Sequence, residues 1–139
     1  MNILYKLYNV NNLSYKFDNS VIKGDNLDET YELNMKGTAF NINKQNNIAI
    51  IKLNILVNSL LNESDDVFRT LSFDYNHVYK INDYESMSDD EIRDFVIKHG
   101  LENAMSSVKD VIKRITDIDY QGRMLVDIPE FPLNVTFDS

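Results

Sequence analysis

The sequence predicts an α+β domain in which four antiparallel strands are followed by helices that pack on one face of the sheet. Two observations predict this class. Up to Ile81, apolar residues alternate with polar ones or form dense β-branched runs, whereas from Ile92 to Ile115 they recur at steps of three and four. Short polar turns between the strand segments favour an antiparallel meander. The chain has 139 residues, so we expect one domain over residues 1–139.

The first two strands are predicted to be irregular. Residues 3–17 are rich in Tyr, Leu and Val but are interrupted by asparagines, which is typical of a bulged strand at a sheet edge. Residues 20–28 predict a loop. A second strand starts near Tyr31, and its apolar phase shifts before Phe40, which predicts a bulge near Gly37 or Thr38.

The next two strands are predicted to form the centre of the sheet. Ile48 to Leu61 is dense and β-branched, which predicts a strand buried on much of both faces. Val67 to Ile81 predicts a fourth strand. One face of this strand is predicted to hold Val67, Leu71, Phe73 and Tyr75.

The second half of the chain predicts two helices and an extended tail. Ser88 to Glu91 is a capping box, and Gly100 predicts the end of a short first helix. Residues 101–115 carry one continuous apolar stripe, which predicts a longer amphipathic helix. Prolines in the tail, at positions 129 and 132, predict that residues 124–133 are extended.

Composition excludes several classes of function. The net charge is −8, from 22 acidic and 14 basic residues, so we expect neither nucleic acid nor an anionic membrane as a partner. There is no cysteine, which removes disulfides and thiolate chemistry. The N-terminus has no signal-peptide pattern, so we expect a cytoplasmic protein.

No catalytic, metal-binding or cofactor-binding pattern is found. His77 and His99 have no second ligand at metal-binding spacing, so structural roles are expected for both. His99 lies beside the predicted helix end at Gly100, where the helix dipole favours a cation. The acidic residues cluster in turns and in the first turn of a helix, where capping and the helix dipole explain them. We therefore expect a protein that is not an enzyme.

Aromatic residues are more numerous than one face of a small sheet would bury. The eight Tyr and seven Phe lie mostly in the strand half. Two interpretations stay open: Phe in the core with Tyr at its rim, or a surplus that lines a partner groove or subunit interface. The apolar stripe of the long helix is open to two interpretations as well: it packs against the sheet as core, or it forms a contact between subunits.

In this order the elements resemble the SecB family of export chaperones over roughly residues 3–133. Four short motifs carry the resemblance. They are Leu7-Tyr8 with Leu13-Ser14-Tyr15 in an irregular first strand, Lys109-Asp110-Val111-Ile112 in the long helix, Gly122 after it, and Val126-Asp127-Ile128-Pro129-Glu130-Phe131. We expect a short form, without the family's last helix and zinc-binding tail.

The resemblance implies a Greek-key sheet, a dimer or tetramer, and an ATP-independent holdase that binds unfolded polypeptides, with an export motor or an antitoxin as a further partner. The alternative is an adaptor dedicated to one partner, as in toxin–antitoxin or phage-defence systems. For polypeptide binding the resemblance indicates Tyr15, Phe40, Ile42, Phe73, Tyr75 and Phe131. For the oligomer it indicates either Met105, Val108, Ile112 and Ile115 or the polar side of the same helix.

Overall fold

The computed structural model describes residues 2–21, 29–62 and 64–118. These residues form one antiparallel sheet with one helix packed against it. The elements are β1 (Asn2–Phe17), a single 3-10 turn (Asn19–Val21), β2 (Glu29–Asn43), β3 (Ile48–Leu61), β4 (Val67–Asn82) and α1 (Asp89–Thr116). The predicted extended tail, with Phe131, lies outside the described residues.

The four described strands lie in the order β1-β4-β3-β2, and all neighbours are antiparallel. Strands β2, β3 and β4 follow each other as hairpins, as the meander prediction requires. β1 departs from a meander because it pairs with β4 instead of β2. The order is therefore the Greek-key arrangement that the resemblance implies.

Both predicted strand irregularities are confirmed. β1 shifts register between Tyr5 and Leu7 and again between Asn11 and Ser14. In β2 the register shifts between Gly37 and Ala39, so the bulge falls at Thr38. One extra residue reverses the alternation of faces. Apolar residues on both sides of the bulge therefore point to the same side of the sheet.

Among the described residues, β3 has one buried face and one face that is partly exposed, so the prediction that it is buried on much of both faces is wrong. Burial alternates along β3 from Ala49 to Ser59. The opposite face is partly polar: the Asp74 carboxylate accepts hydrogen bonds from the amides of Asn12 and Asn54, at 2.7 and 3.0 Å. Side chains that satisfy each other in this way can face water, whereas the apolar face needs a cover.

The prediction for the start of β4 also needs a correction. Val67 is 43% exposed and does not share the buried face with Leu71, Phe73 and Tyr75. The register shifts between Ser59 and Leu60 where β3 pairs with β4. Because of that irregularity, the side chain of Val67 is out of phase with the alternation that the later residues follow.

The helical half forms one helix of 28 residues, not two. The predicted capping box is present, with the Glu91 amide donating to the Ser88 hydroxyl at 3.2 Å. Gly100 does not end the helix. It is buried within it, where a Cβ would lie 2.8 Å from Tyr79 Cε1, and the Tyr79 hydroxyl donates to the Gly100 carbonyl. This glycine therefore allows helix and sheet to approach closely.

Because the helix continues, His99 lies in its interior and not at its end. The helix-dipole explanation for His99 is therefore wrong. Its ring contacts Phe95, with the ring centroids 4.4 Å apart.

Candidate functional site

α1 crosses the sheet from the β2 edge towards the β1 edge. Near its start, the Lys44 ammonium in the β2–β3 turn lies 2.9 Å from the Asp89 carboxylate, and the Arg93 guanidinium lies 5.9 Å from the centre of the Phe40 ring. Further along, Gly100 packs on Tyr79 of β4. The two edge strands are therefore the margins of the helix-covered face.

β2 carries a stripe of partly exposed apolar side chains on its helix-facing side. Their register partners on β3, from Ser59 to Ala49, are buried, which assigns the stripe to the covered face. The intervening side chains, such as Glu32, Asn34 and Lys36, are exposed on the other face. We call the following residues the β2 stripe: Tyr31, Leu33, Met35, Phe40 and Ile42.

β2 is also an edge strand, with β3 as its only strand neighbour among the described residues. An edge strand presents backbone N–H and C=O groups that a further extended segment can pair with. The β2 stripe lies directly beside this edge. Within the part of the chain that the structure describes, an edge strand and an apolar stripe therefore lie at the same margin.

The structure brings together only some of the residues predicted to line the groove. Phe40 and Ile42 lie together in the β2 stripe, whereas Phe73 and Tyr75 are 0% exposed in the core and present no surface to a partner in this arrangement. Tyr15 lies on β1, at the opposite edge of the sheet.

The distance of Tyr15 from the stripe follows from the pairing. Tyr15 pairs with Leu71 on β4, whereas Phe40 aligns through Ile51 with His77. Those β4 positions are six residues apart, or roughly 20 Å along a strand. One groove cannot be lined by Tyr15 and Phe40 side by side.

The β1 edge has exposed apolar side chains that were not among the predicted binding or oligomer residues. They are Leu4 (56% exposed), Tyr5 (47%), Leu7 (42%) and Leu13 (52%). Leu4 and Leu7 follow the phase of the uncovered face, and Tyr5 faces the helix. The signal available in the sequence was the run of apolar residues in a strand predicted to lie at an edge.

Between β1 and α1 lies a groove of about 370 Å³ with an aromatic and a polar side. Tyr5 and Tyr8 of β1 form the aromatic side. The helix contributes Asn103, Ser106, Ser107, Asp110 and Arg114. The Arg114 guanidinium lies 3.0 Å from the Asp110 carboxylate, so these two charges already pair with each other.

His77 is buried beside this groove, and its environment explains its protonation. Burial lowers the pKa of His77 to about 4, so the ring is neutral at pH 7. Burial also raises the pKa of Tyr75 and of Tyr79 above its ordinary value. The structural role expected for His77 fits this position.

The predicted oligomer residues lie mostly inside the chain. Met105, Val108 and Ile112 are buried against the sheet, and Ile115 is partly exposed. The oligomer contact stays a prediction. With the apolar stripe already packed on the sheet, a contact through α1 would involve Ile115 and the polar side of the helix.

His, Asp and Glu side chains in residues 2–21, 29–62 and 64–118 form no group of three or more that could hold a metal ion. No helix in these ranges is long and apolar enough to cross a membrane.

Comparison with solved structures finds a similar fold. The Mycobacterium tuberculosis Rv1957 SecB-like chaperone, solved in complex with a ChAD peptide from the Rv1956 HigA1 antitoxin, superposes with a TM-score of 0.71 over 94% of this chain and 93% of that chain. The fold is similar to that of a SecB-like chaperone. The sequence identity is 9%, so the likeness is one of fold.

The other comparisons add no family. A Streptococcus agalactiae protein of unknown function covers 92% of this chain and 98% of its own at 15% identity, but its TM-score of 0.39 carries no argument. No protein-family model and no curated protein matches the sequence.

Proposed function

We propose that this protein is a chaperone that binds nonnative polypeptides as extended segments along β2. The observation that carries the proposal is the β2 stripe beside an edge strand. The SecB-like fold supports it, because the chaperone with that fold was solved with a bound peptide.

The pattern of side chains on β2 defines the segment that would bind. A strand added to β2 pairs through its backbone, which is independent of sequence. Its alternate side chains then lie beside the β2 stripe on one face and beside Glu32, Asn34 and Lys36 on the other. The favoured ligand is therefore an extended segment that is apolar on one face and polar on the other.

Holding such a segment requires contact area and no chemical step. We therefore propose ATP-independent binding without a cofactor and without catalysis. Handover to an export motor would be a later step and is not needed for the binding itself.

The test is an aggregation assay on two unrelated unfolding proteins without ATP. We expect near-stoichiometric protection by the natural chain and at least tenfold weaker protection by the double variant Phe40→Asn/Ile42→Asn. Asn41→Ser is the matched control, because Asn41 is exposed on the other face of the same strand. Unchanged far-UV circular dichroism must accompany the loss. Equal protection by the double variant would reject the β2 site, and no protection by the natural chain would reject the holdase.

A second candidate is a chaperone dedicated to one partner. It is favoured by the similar structure, whose bound peptide comes from an antitoxin. In that case neither unrelated protein is protected, whereas one cognate partner binds and Phe40→Asn/Ile42→Asn weakens that complex. The cognate partner is best sought among proteins encoded beside this chain.

We also propose that the chain associates with a second copy through the β1 edge. Leu4, Leu7 and Leu13 are each more than two-fifths exposed there, and such side chains on an edge strand favour association. Light scattering is expected to give a dimer or larger species, and Leu7→Lys is expected to shift it towards monomer. An unchanged mass for Leu7→Lys would place the contact elsewhere, with the polar side of α1 next to be tested.

A further inference from the structure

His77 lies at the junction of three elements. On its own strand β4, the ring centroids of Tyr75 and Tyr79 lie 5.7 and 4.6 Å away. From β1, the Tyr5 centroid lies 4.7 Å away and the Tyr8 ring is stacked at 6.4 Å. Through Tyr75 the ring is also connected to Ser107 of α1.

The hydrogen bonds of this junction leave one imidazole nitrogen unpartnered. Burial raises the pKa of Tyr75, and a side-chain hydrogen bond with Ser107 partly offsets that rise. The Tyr75 hydroxyl in turn lies 2.6 Å from His77 Nδ1, and we assign it as the donor. The ring proton is then on Nε2, which is buried and has no hydrogen-bond partner. A buried donor without an acceptor is costly and calls for an explanation.

Among residues 2–21, 29–62 and 64–118, no carboxylate forms a hydrogen bond or ion pair with His77 that would balance a charge on it. From β1 and β4 the facing titratable groups are the four tyrosines of the junction. From β3, the register partner of His77 is the apolar Ile51. From α1, the charged groups that line the groove over Tyr5 and Tyr8 are Asp110 and Arg114, which pair with each other.

We propose that His77 is an acid-sensitive switch that releases the Tyr5–Tyr8 segment of β1 from the junction with α1. An imidazolium in this junction would be desolvated without a counter-charge, which is unfavourable. It becomes stable only when the ring reaches water. Of the four tyrosines around the ring, Tyr5 is the exposed one, at 47%, and it belongs to an edge strand already bulged beside it.

The size of the effect follows from linkage between protonation and opening. The pKa of His77 is about 4 when buried, against 6.5 for a free histidine. The open form therefore binds protons more readily, and the opening equilibrium rises as the pH falls from 7 towards 4. Between pH 7 and pH 5 the rise is about 20-fold.

The experiment is hydrogen exchange of the backbone amides in β1 at pH 7 and pH 5, corrected for the intrinsic pH dependence of exchange. We expect opening of residues 3–8 to increase about 20-fold. The distant strand segments 33–35 and 55–57 should change less than twofold. His77→Asn keeps an acceptor for Tyr75 but cannot titrate, so its β1 opening should be independent of pH. His99→Asn, at the exposed histidine of α1, should behave as the natural chain does.

Opening that is unaffected by pH in the natural chain, or that rises equally in His77→Asn, would overturn the proposal. If His77→Asn does not fold, the ring of His77 is titrated by NMR in the natural chain. A pKa below 5 supports the switch, and a pKa above 6 rules it out. Both measurements use the chain alone, so they are independent of whether it binds polypeptides.

Discussion

Replacing Gly100 by alanine tests whether helix α1 is held against the sheet as the structure describes. In an unobstructed helix interior the substitution stabilises, by about 1 kcal/mol, because alanine has the higher helix propensity. Here the new Cβ would lie 2.8 and 2.9 Å from Tyr79 Cε1 and Cζ, and 3.1 Å from Ile3 Cδ1. Tyr79 is 0% exposed, so its ring cannot relieve the contact by moving a short way into solvent.

The expected sign is therefore destabilising. Overpacking in a core costs about 1–3 kcal/mol. The hydrogen bond from the Tyr79 hydroxyl to the Gly100 carbonyl would also be strained, at a cost of about 1 kcal/mol. After the propensity gain is subtracted, Gly100→Ala should lower the free energy of unfolding by about 2 kcal/mol. For a chain of this size that is a fall in Tm of about 6 °C.

Urea unfolding and thermal melts followed by circular dichroism measure the effect. Asn103→Ala is the matched control, since Asn103 is exposed on the same helix and should gain about 0.5 kcal/mol. Tyr79→Phe should not rescue Gly100→Ala, because the close atoms are ring carbons. If Gly100→Ala stabilises the chain as Asn103→Ala does, the close packing of α1 on Tyr79 is refuted.

The remaining predictions concern the helix cap and two titrating groups. Ser88→Ala removes the capping box and should lower the free energy of unfolding, measured in urea, by about 1 kcal/mol. The control is Ser86→Ala, at an exposed position before the helix, which should change that free energy by less than about 0.5 kcal/mol. NMR should place the pKa of Asp74 below 3.8, because two asparagine amides donate to the carboxylate and stabilise its charged form. The contribution of Asp74 to stability is then present above pH 3.8 and is lost as the pH falls through the folded pKa. A pKa at the ordinary value would contradict these hydrogen bonds. Since the folded pKa of His77 is about 4, the unfolded chain binds more protons below pH 6.5, so the free energy of unfolding should fall by about 2 kcal/mol between pH 7 and pH 4.5. An equally steep fall in His77→Asn would assign that loss to other groups.

A local pattern was sufficient to predict which apolar residues of β2 share a face. Phe40 and Ile42 lie together on that face, and the bulge at Thr38 gives the physical reason that they share it with Met35. Phe73 and Tyr75 were chosen for the same groove because alternation shows which residues share a face. Alternation does not show whether a helix then covers that face.

The sequence by itself determined the features that depend on neighbouring residues. The bounds of β3 follow from the polar turns on either side, the bulge of β2 from a phase shift, and the start of α1 from the Ser88 capping box. In each case, the signal and the structure lie within a few residues of each other.

Only the tertiary structure decided features that depend on residues far apart in the chain. β1 pairs with β4, which leaves its leucines exposed at an edge, and no local pattern specifies that partner. Gly100 continues the helix because Tyr79, 21 residues away, packs on the space that its missing side chain leaves. A glycine that ends a helix and one that admits a neighbouring ring are identical in sequence, and only the contact distinguishes them.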